Sequence, residues 1–200
     1  MKKIVIGLTG QTGSGKSTCS NYLKDSGYHI IDADICAREV LDKGTDCFFE
    51  VKKTFGDIVI FPDGSLNRKQ LANIIFNDKN ELNKLNGITN PYIIDNINDK
   101  ISRADNGIII LDAPTLFESG ADKLCNYTIC VIAPIQVRLE RIISRDKLTT
   151  DEAKSRINSQ NNDEFYISRS NYMIDNNSNI DKMILNINSI IDDIKAIEDI

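Results

Sequence analysis

Gly10-Gln11-Thr12-Gly13-Ser14-Gly15-Lys16-Ser17 follows directly on an apolar run, Ile4 to Leu8, that reads as a buried β-strand. The glycines let the backbone curl tightly, so that its N–H groups turn inward and, with the N-terminus of the next helix, form a cradle for a phosphate. Lys16 supplies a compensating charge, and the Ser17 hydroxyl is a hard oxygen ligand suited to Mg²⁺. Strand, loop and helix stand in the order that a phosphate-binding loop requires, which points to nucleoside triphosphate chemistry on an α/β fold.

Outward from that loop, apolar segments alternate between strand-like and helix-like patterns, as expected for crossover units around a parallel sheet. The strands expected are Lys3 to Leu8, Tyr28 to Ile31, Gly107 to Leu111, Tyr127 to Ile132 and Tyr172 to Ile174. Between the second and third, from about Gly44 to Ala104, turn signals and amphipathic stretches give several helices, read as an inserted substrate-binding subdomain. Pro62-Asp63-Gly64 has the chemistry of a turn, and Asn67 with Gln70 suits the start of a helix carrying Leu71, Ile74 and Ile75. Ile180, Met183, Ile184, Ile187, Ile190, Ile191, Ile194 and Ile197 recur at helical spacing and form a packing stripe.

Composition narrows the class. With 200 residues, 41% of them hydrophobic and 26% charged, the chain can bury one sizeable core. A net charge of −5 argues against a nucleic-acid surface, which rests on many basic phosphate contacts. The five cysteines, Cys19, Cys36, Cys47, Cys125 and Cys130, include no C-x-x-C pair, and His29 is the single histidine, so reduced thiols in the cytoplasm are expected and a zinc site is not. The opening Met1-Lys2-Lys3 is followed by too short an apolar run for a signal peptide, and no stretch has the length of a membrane span.

Two further features carry chemistry. Asp32-Ala33-Asp34 closes the second strand, on the sheet edge where open parallel sheets bind ligands, so at least one carboxylate should face the transferred phosphate and accept the proton of an attacking hydroxyl. Aspartate there also suits a helix N-cap. Ile108-Ile109-Ile110-Leu111-Asp112 has the form of the acidic strand that supports Mg²⁺ in many phosphate-loop enzymes, although an aspartate before Pro114 also suits a turn. Arg141, Arg145 and Arg156 flank a Lys147-Leu148-Thr149-Thr150 break and could close over a triphosphate or line solvated helix faces.

In order along the chain, these residues resemble the dephospho-coenzyme A kinases. The resemblance is carried by Gly7-Leu8-Thr9-Gly10 leading into Gly13-Ser14-Gly15-Lys16-Ser17-Thr18, by Ile31-Asp32-Ala33-Asp34 with Ala37-Arg38-Glu39-Val40, and by Phe55-Gly56. It continues through Asp63-Gly64-Ser65-Leu66-Asn67-Arg68 with Leu71, Pro114-Thr115-Leu116-Phe117-Glu118, Arg141, Arg145-Asp146-Lys147-Leu148-Thr149, Arg156-Ile157, Gln160 and Ile174-Asp175-Asn176. It implies a P-loop NTPase fold: a three-layer α/β/α core with a five-stranded parallel sheet over residues 1–43 and 105–200, a small lid at about 141–165, and a helical coenzyme A-binding subdomain over 44–104. The implied reaction is transfer of the γ-phosphoryl group of ATP to the ribose 3′-hydroxyl of dephospho-coenzyme A, the last step of coenzyme A synthesis, in a cytoplasmic monomer with no nucleic-acid or membrane partner. Asp34 would be the base and Lys16 the catalytic cation. Gly13, Ser14, Gly15, Lys16, Ser17 and Thr18, with Arg141 and Arg145 of the lid, would bind the nucleotide, and Ser17 and Asp112 would serve Mg²⁺.

The chain departs from the family pattern at Gln11-Thr12, where Gly-Ile is usual, at Asn90-Pro91, where His-Pro is usual, and at Ser170-Asn171, where Ala-Asp is usual. Two other readings compete. A shikimate-kinase-like enzyme would share the loop and the Asp-x-Asp strand end, but its Gly-Gly-Gly run is missing. A GTPase switch would read guanine through Asn-Lys-x-Asp, but Asn83-Lys84-Leu85-Asn86 ends in an amide, which cannot accept the two hydrogen bonds that guanine offers.

Overall fold

A computed structural model describes residues 2–177 and 179–199. The chain runs β1 (Lys3–Gly10), α1 (Lys16–Asp25), β2 (His29–Asp32), α2 (Ala33–Glu39), α3 (Asp46–Phe55), a 3₁₀ turn (Asp57–Val59), α4 (Arg68–Asn77) and α5 (Lys79–Arg103). It continues with β3 (Gly107–Asp112), a second 3₁₀ turn (Ala121–Leu124), β4 (Tyr127–Ile132), α6 (Ile135–Asp146), α7 (Thr150–Asn158), α8 (Asp163–Ile167), β5 (Tyr172–Asp175) and α9 (Ile180–Glu198). All five expected strands are present, each within two residues of its expected bounds at either end.

The strands form one parallel sheet in the order β2-β3-β1-β4-β5. β1 lies at the centre, pairing with β3 on one side and β4 on the other, so the phosphate loop leaves the sheet where the strand order reverses. Even-numbered residues of β1, Ile4, Ile6 and Leu8, share one face with Ile110, Ile129, Val131 and Ile174, and are covered by Cys19 and Leu23 of α1 and by Met183, Ile187, Ile191 and Ile194 of α9. The opposite face is closed as well: a Cβ on Gly7 would come within 2.8 Å of Leu116 and Cys125 side-chain atoms. Burial on both faces explains why β1 and β3 read as continuous apolar runs instead of alternating ones.

Backbone contacts divide the chain into two compact units, 1–31 with 104–200, and 32–103. The second unit begins at Asp32, ahead of the boundary near 44 that turn chemistry suggested, because α2 packs on α5 and Lys100 pairs with Glu39 at 2.6 Å. This unit has its own core, with Val40, Cys47, Phe48, Val51, Val59, Leu66, Leu71 and Leu85 buried together. Local chemistry sets its elements. Thr45 caps α3 through the Phe48 N–H, Asn67 caps α4 through the Gln70 N–H at 3.0 Å, and the Pro62-Asp63-Gly64 turn is closed by bonds between Phe61 and Ser65 and between Gly64 and Phe61, each 2.8 Å. α5 runs 25 residues with Pro91 inside it, and Asn90 is half-buried one position before that proline. Among the described residues, no helix is long and apolar enough to cross a membrane.

Candidate functional site

The loop is held from outside by its carbonyl oxygens. Arg138 Nε donates to the Thr12 carbonyl at 3.0 Å, Arg141 Nη1 donates to the Gly13 and Ser14 carbonyls at 3.2 Å each, and Asn176 Nδ2 donates to the Ser14 carbonyl at 2.7 Å. With the carbonyls turned outward, the N–H groups of Gly13, Gly15, Lys16 and Ser17 have no partner among the described residues. Four free donors at the start of a ten-residue helix make an anion cradle. The Ser14 hydroxyl is buried and also has no partner among the described residues, a further donor that a phosphate oxygen could accept from. Only glycine suits position 13: its φ is +78°, and a Cβ there would lie 2.8 Å from the Arg138 carbonyl oxygen.

Lys16 and Asp112 form an ion pair with side chains 13% and 11% exposed. The parallel register of β1 on β3 sets Leu8 opposite Asp112, and so delivers the carboxylate to the strand end from which the loop springs. Ser17 and Thr18 are exposed in the first turn of α1. One hydroxyl and one carboxylate are hard oxygen donors of the sparse kind used for Mg²⁺, an ion that keeps several waters and shares the nucleotide's phosphates, so these residues fit that ion.

The segment expected to form a lid is a helical hairpin. α6 and α7 pack through Leu139, Ile142, Ala153 and Ile157, and the connection turns at Lys147, whose φ of +56° ends α6. Thr149 and Glu152 form a capping box that starts α7. Of the two lid arginines expected at the nucleotide, Arg141 reaches the loop carbonyls and also the Asn176 carbonyl at 3.3 Å. Arg145 instead holds Asp146 through two bonds of 2.7 and 2.9 Å, and Arg156 pairs with the same carboxylate. The two guanidiniums hold the Asp146 carboxyl below its usual range.

Sequence reasoning gave no role to four residues that hold the loop: Gln11, Arg138, Gln160 and Asn176. Arg138 lies one turn before Arg141 on the same face of α6, a spacing that could have drawn attention to it. It is 3% exposed, and burial pulls its guanidinium below its ordinary value. Asn176 follows the end of β5 on the ligand-binding edge of the sheet, and that position was its signal.

In the second unit, Asp32 is the N-cap of α2: its Oδ1 accepts the N–H groups of Asp34 and Ile35 at 2.8 and 3.1 Å. The capping role therefore belongs to Asp32, and the exposed Asp34 carboxylate stands in the first turn outside the cap. All five cysteines are free thiols, and burial pushes Cys19 and Cys125 up to about 12, so neither is an activated nucleophile.

The dephospho-CoA kinase family model matches residues 4–182. A dephospho-CoA kinase from Fusobacterium nucleatum is 39% identical over 183 residues, covering 92% of this chain and 94% of that relative. One from Listeria innocua is 40% identical over 180 residues, covering 88% of this chain and 90% of that relative. The solved structure of dephospho-CoA kinase from Campylobacter jejuni superposes with a TM-score of 0.70 at 26% identity, covering 96% of this chain and 97% of that one.

Proposed function

The chain belongs to the dephospho-CoA kinase family, a family of phosphotransferases with an alcohol acceptor, and on that premise we propose how its own residues carry the reaction. The reaction moves the γ-phosphoryl group of ATP to the ribose 3′-hydroxyl of dephospho-coenzyme A. The acceptor oxygen forms the new P–O bond, the bond to the bridging β–γ oxygen breaks, the hydroxyl proton passes to Asp34, and ADP leaves. The observation that carries the reading is the cradle: four loop N–H groups at the head of α1 without partners among the described residues, with the Thr12, Gly13 and Ser14 carbonyls held by Arg138, Arg141 and Asn176, in a chain matched to the family from residue 4 to 182.

Each role follows from the chemistry of the group. The amides of Gly13, Gly15, Lys16 and Ser17 donate to phosphate oxygens without needing to reorganise, and Lys16 exchanges Asp112 for the β- and γ-phosphates as negative charge develops. Ser17 and Asp112 would hold Mg²⁺, which would supply charge neutralisation to the nucleotide phosphates. Arg141 is fixed against the loop; Thr18 follows Ser17 in the same helical turn; Arg145 enters the site by leaving Asp146. Asp34, released from capping by Asp32, is the base. The helical unit 32–103, with a core of its own, would hold the rest of the substrate, and the hairpin of α6 and α7 would close over the nucleotide and exclude water. Five free thiols support a cytoplasmic enzyme, and we take it to be a monomer, which gel filtration would check.

A coupled ADP-release assay with ATP and Mg²⁺, run with dephospho-coenzyme A, with shikimate and with no acceptor, tests the proposal. The expected product gains one phosphate with dephospho-coenzyme A alone. ADP release that ignores the acceptor would overturn it in favour of simple hydrolysis.

A further inference from the structure

Gln11 and Thr12, two of the departures noted in the sequence, are tied to α6 and to the segment after α7. The Gln11 side chain is 4% exposed; its Oε1 accepts from Arg138 Nη1 at 2.7 Å and its Nε2 donates to the Asn161 carbonyl at 2.7 Å. The Thr12 N–H donates to Gln160 Oε1 at 2.8 Å, while its carbonyl accepts from Arg138 Nε. The segment that supplies these partners is itself pinned: Asn161 Nδ2 and the hydroxyl of the fully buried Tyr166 both donate to Glu118 Oε1 at 3.0 Å. Asp163 Oδ1 lies 3.7 Å from Arg138 Nη1 and adds a counter-charge, while Arg138 Nη2 is buried with no partner among the described residues.

This arrangement leaves the amides of Gly13, Gly15, Lys16 and Ser17 open to a phosphate while fixing the two residues before them. A glycine-rich loop that is loose when empty must give up backbone freedom on binding, at about 1–2 kcal/mol for each residue ordered. A loop already held loses less, so affinity rises without a new ligand contact. We propose that Gln11, Arg138 and Gln160 are positioning residues that hold the phosphate loop in its phosphate-binding curl, and that they set the affinity for ATP without touching it. The Thr12 N–H is consumed by Gln160 and so is unavailable to a phosphate, which separates this network from the binding donors. Arg138 acts through Gln11 and Thr12, since among the described residues its bonded nitrogens reach those two and, more distantly, Asp163.

The inference rests on ATP occupying the loop, and the test separates the two claims. ATP with Mg²⁺ is titrated calorimetrically into the full chain without acceptor, for the unsubstituted protein, Gln11→Gly, Arg138→Gln, Gln160→Ala and Gln11→Gly/Arg138→Gln, alongside kcat with dephospho-coenzyme A and the thermal midpoint of each. Each single variant is expected to weaken ATP binding about tenfold, the loss typical of one charge-assisted or buried hydrogen bond, with kcat at saturating ATP within about twofold of the unsubstituted protein. The double variant is expected to lose less than the product of the Gln11→Gly and Arg138→Gln effects, because the bond between Gln11 and Arg138 is lost in both. A lowered midpoint with ATP affinity unchanged would mark the network as merely structural and overturn the inference, as would a fall in kcat with no change in affinity. Should Arg138→Gln fail to fold, Gln11→Gly and Gln160→Ala still decide the matter. No ATP binding by the unsubstituted protein would sink the functional reading itself.

Discussion

Replacing Gly13 by alanine should cost far more than the same change at Gly27, and the gap between them measures how closely α6 backs the phosphate loop. Both glycines have left-handed φ values, +78° and +90°. At Gly27 an added Cβ meets nothing within 4 Å, so Gly27→Ala isolates backbone strain, about 1 kcal/mol. At Gly13 the Cβ would stand 2.8 Å from the Arg138 carbonyl oxygen and 3.1 Å from its Cα, atoms of a helix backbone that cannot step aside as a side chain would. Overpacking of this kind adds about 1–3 kcal/mol, which brings Gly13→Ala to about 2–4 kcal/mol in total. At about 2–4 °C for each kcal/mol in a chain of this size, the thermal midpoint should fall by about 3 °C for Gly27→Ala and by on the order of 10 °C for Gly13→Ala. Urea midpoints at constant slope give the same comparison at room temperature. ATP titration of Gly13→Ala should also show weakened binding, since relief of the clash moves the loop. Equal destabilisation of the two variants would refute the claim that α6 lies directly against the loop.

Asp34→Asn should lower kcat by a factor of about 10²–10⁴ with ATP affinity nearly intact, the span typical of losing a general base; an unchanged kcat in steady-state assays would remove Asp34 from the chemistry. Lys16→Ala should weaken ATP binding and slow transfer together, because its charge acts in both ground and transition states, and normal turnover would sink the assignment of the loop. Cys19 and Cys125 give a pH dependence. The ordinary thiol value is 9.0 and both are pushed up to about 12, so as pH rises from about 9 the unfolded chain sheds protons that the folded chain retains, and stability falls progressively up to about 12. Urea midpoints measured at about pH 8 and about pH 10.5 should drop less in Cys19→Ala than in the unsubstituted protein, and equal drops would exclude Cys19 as a contributor.

Much of the fold was legible because its signals are local. β1, β3 and β4 stood out as apolar runs because the centre of the sheet is buried on both faces, and α9 stood out because Met183, Ile187, Ile191 and Ile194 keep helical spacing. The cap at Asn67 follows from a side chain reaching its own helix start. The start of the second compact unit at Asp32 was not legible because nothing in the chemistry of residues 32–43 announces that α2 packs on α5, a partner far along the chain. The loop was legible for the same reason as the strands: its glycines, lysine and serine are contiguous. Gln11, Arg138, Gln160 and Asn176 come from four separate segments and meet only through the fold, so no window of sequence contains their bonds. Asp32 and Asp34 could not be told apart by type. Only the direction of the hydrogen bonds gives the cap to Asp32.

The ion pair between Lys16 and Asp112 affects how substitutions there must be interpreted. An ammonium only 13% exposed needs a nearby anion, and Asp112 provides it across the β1–β3 register. Asp112→Asn would therefore orphan a cation before any metal is considered, and lost turnover in that variant would be ambiguous evidence for a role in holding Mg²⁺. The two causes part company in the thermal midpoint. An orphaned Lys16 lowers it without ligand and regains much of the loss when a triphosphate supplies the missing negative charge, whereas a defect confined to the metal leaves the ligand-free midpoint where it was.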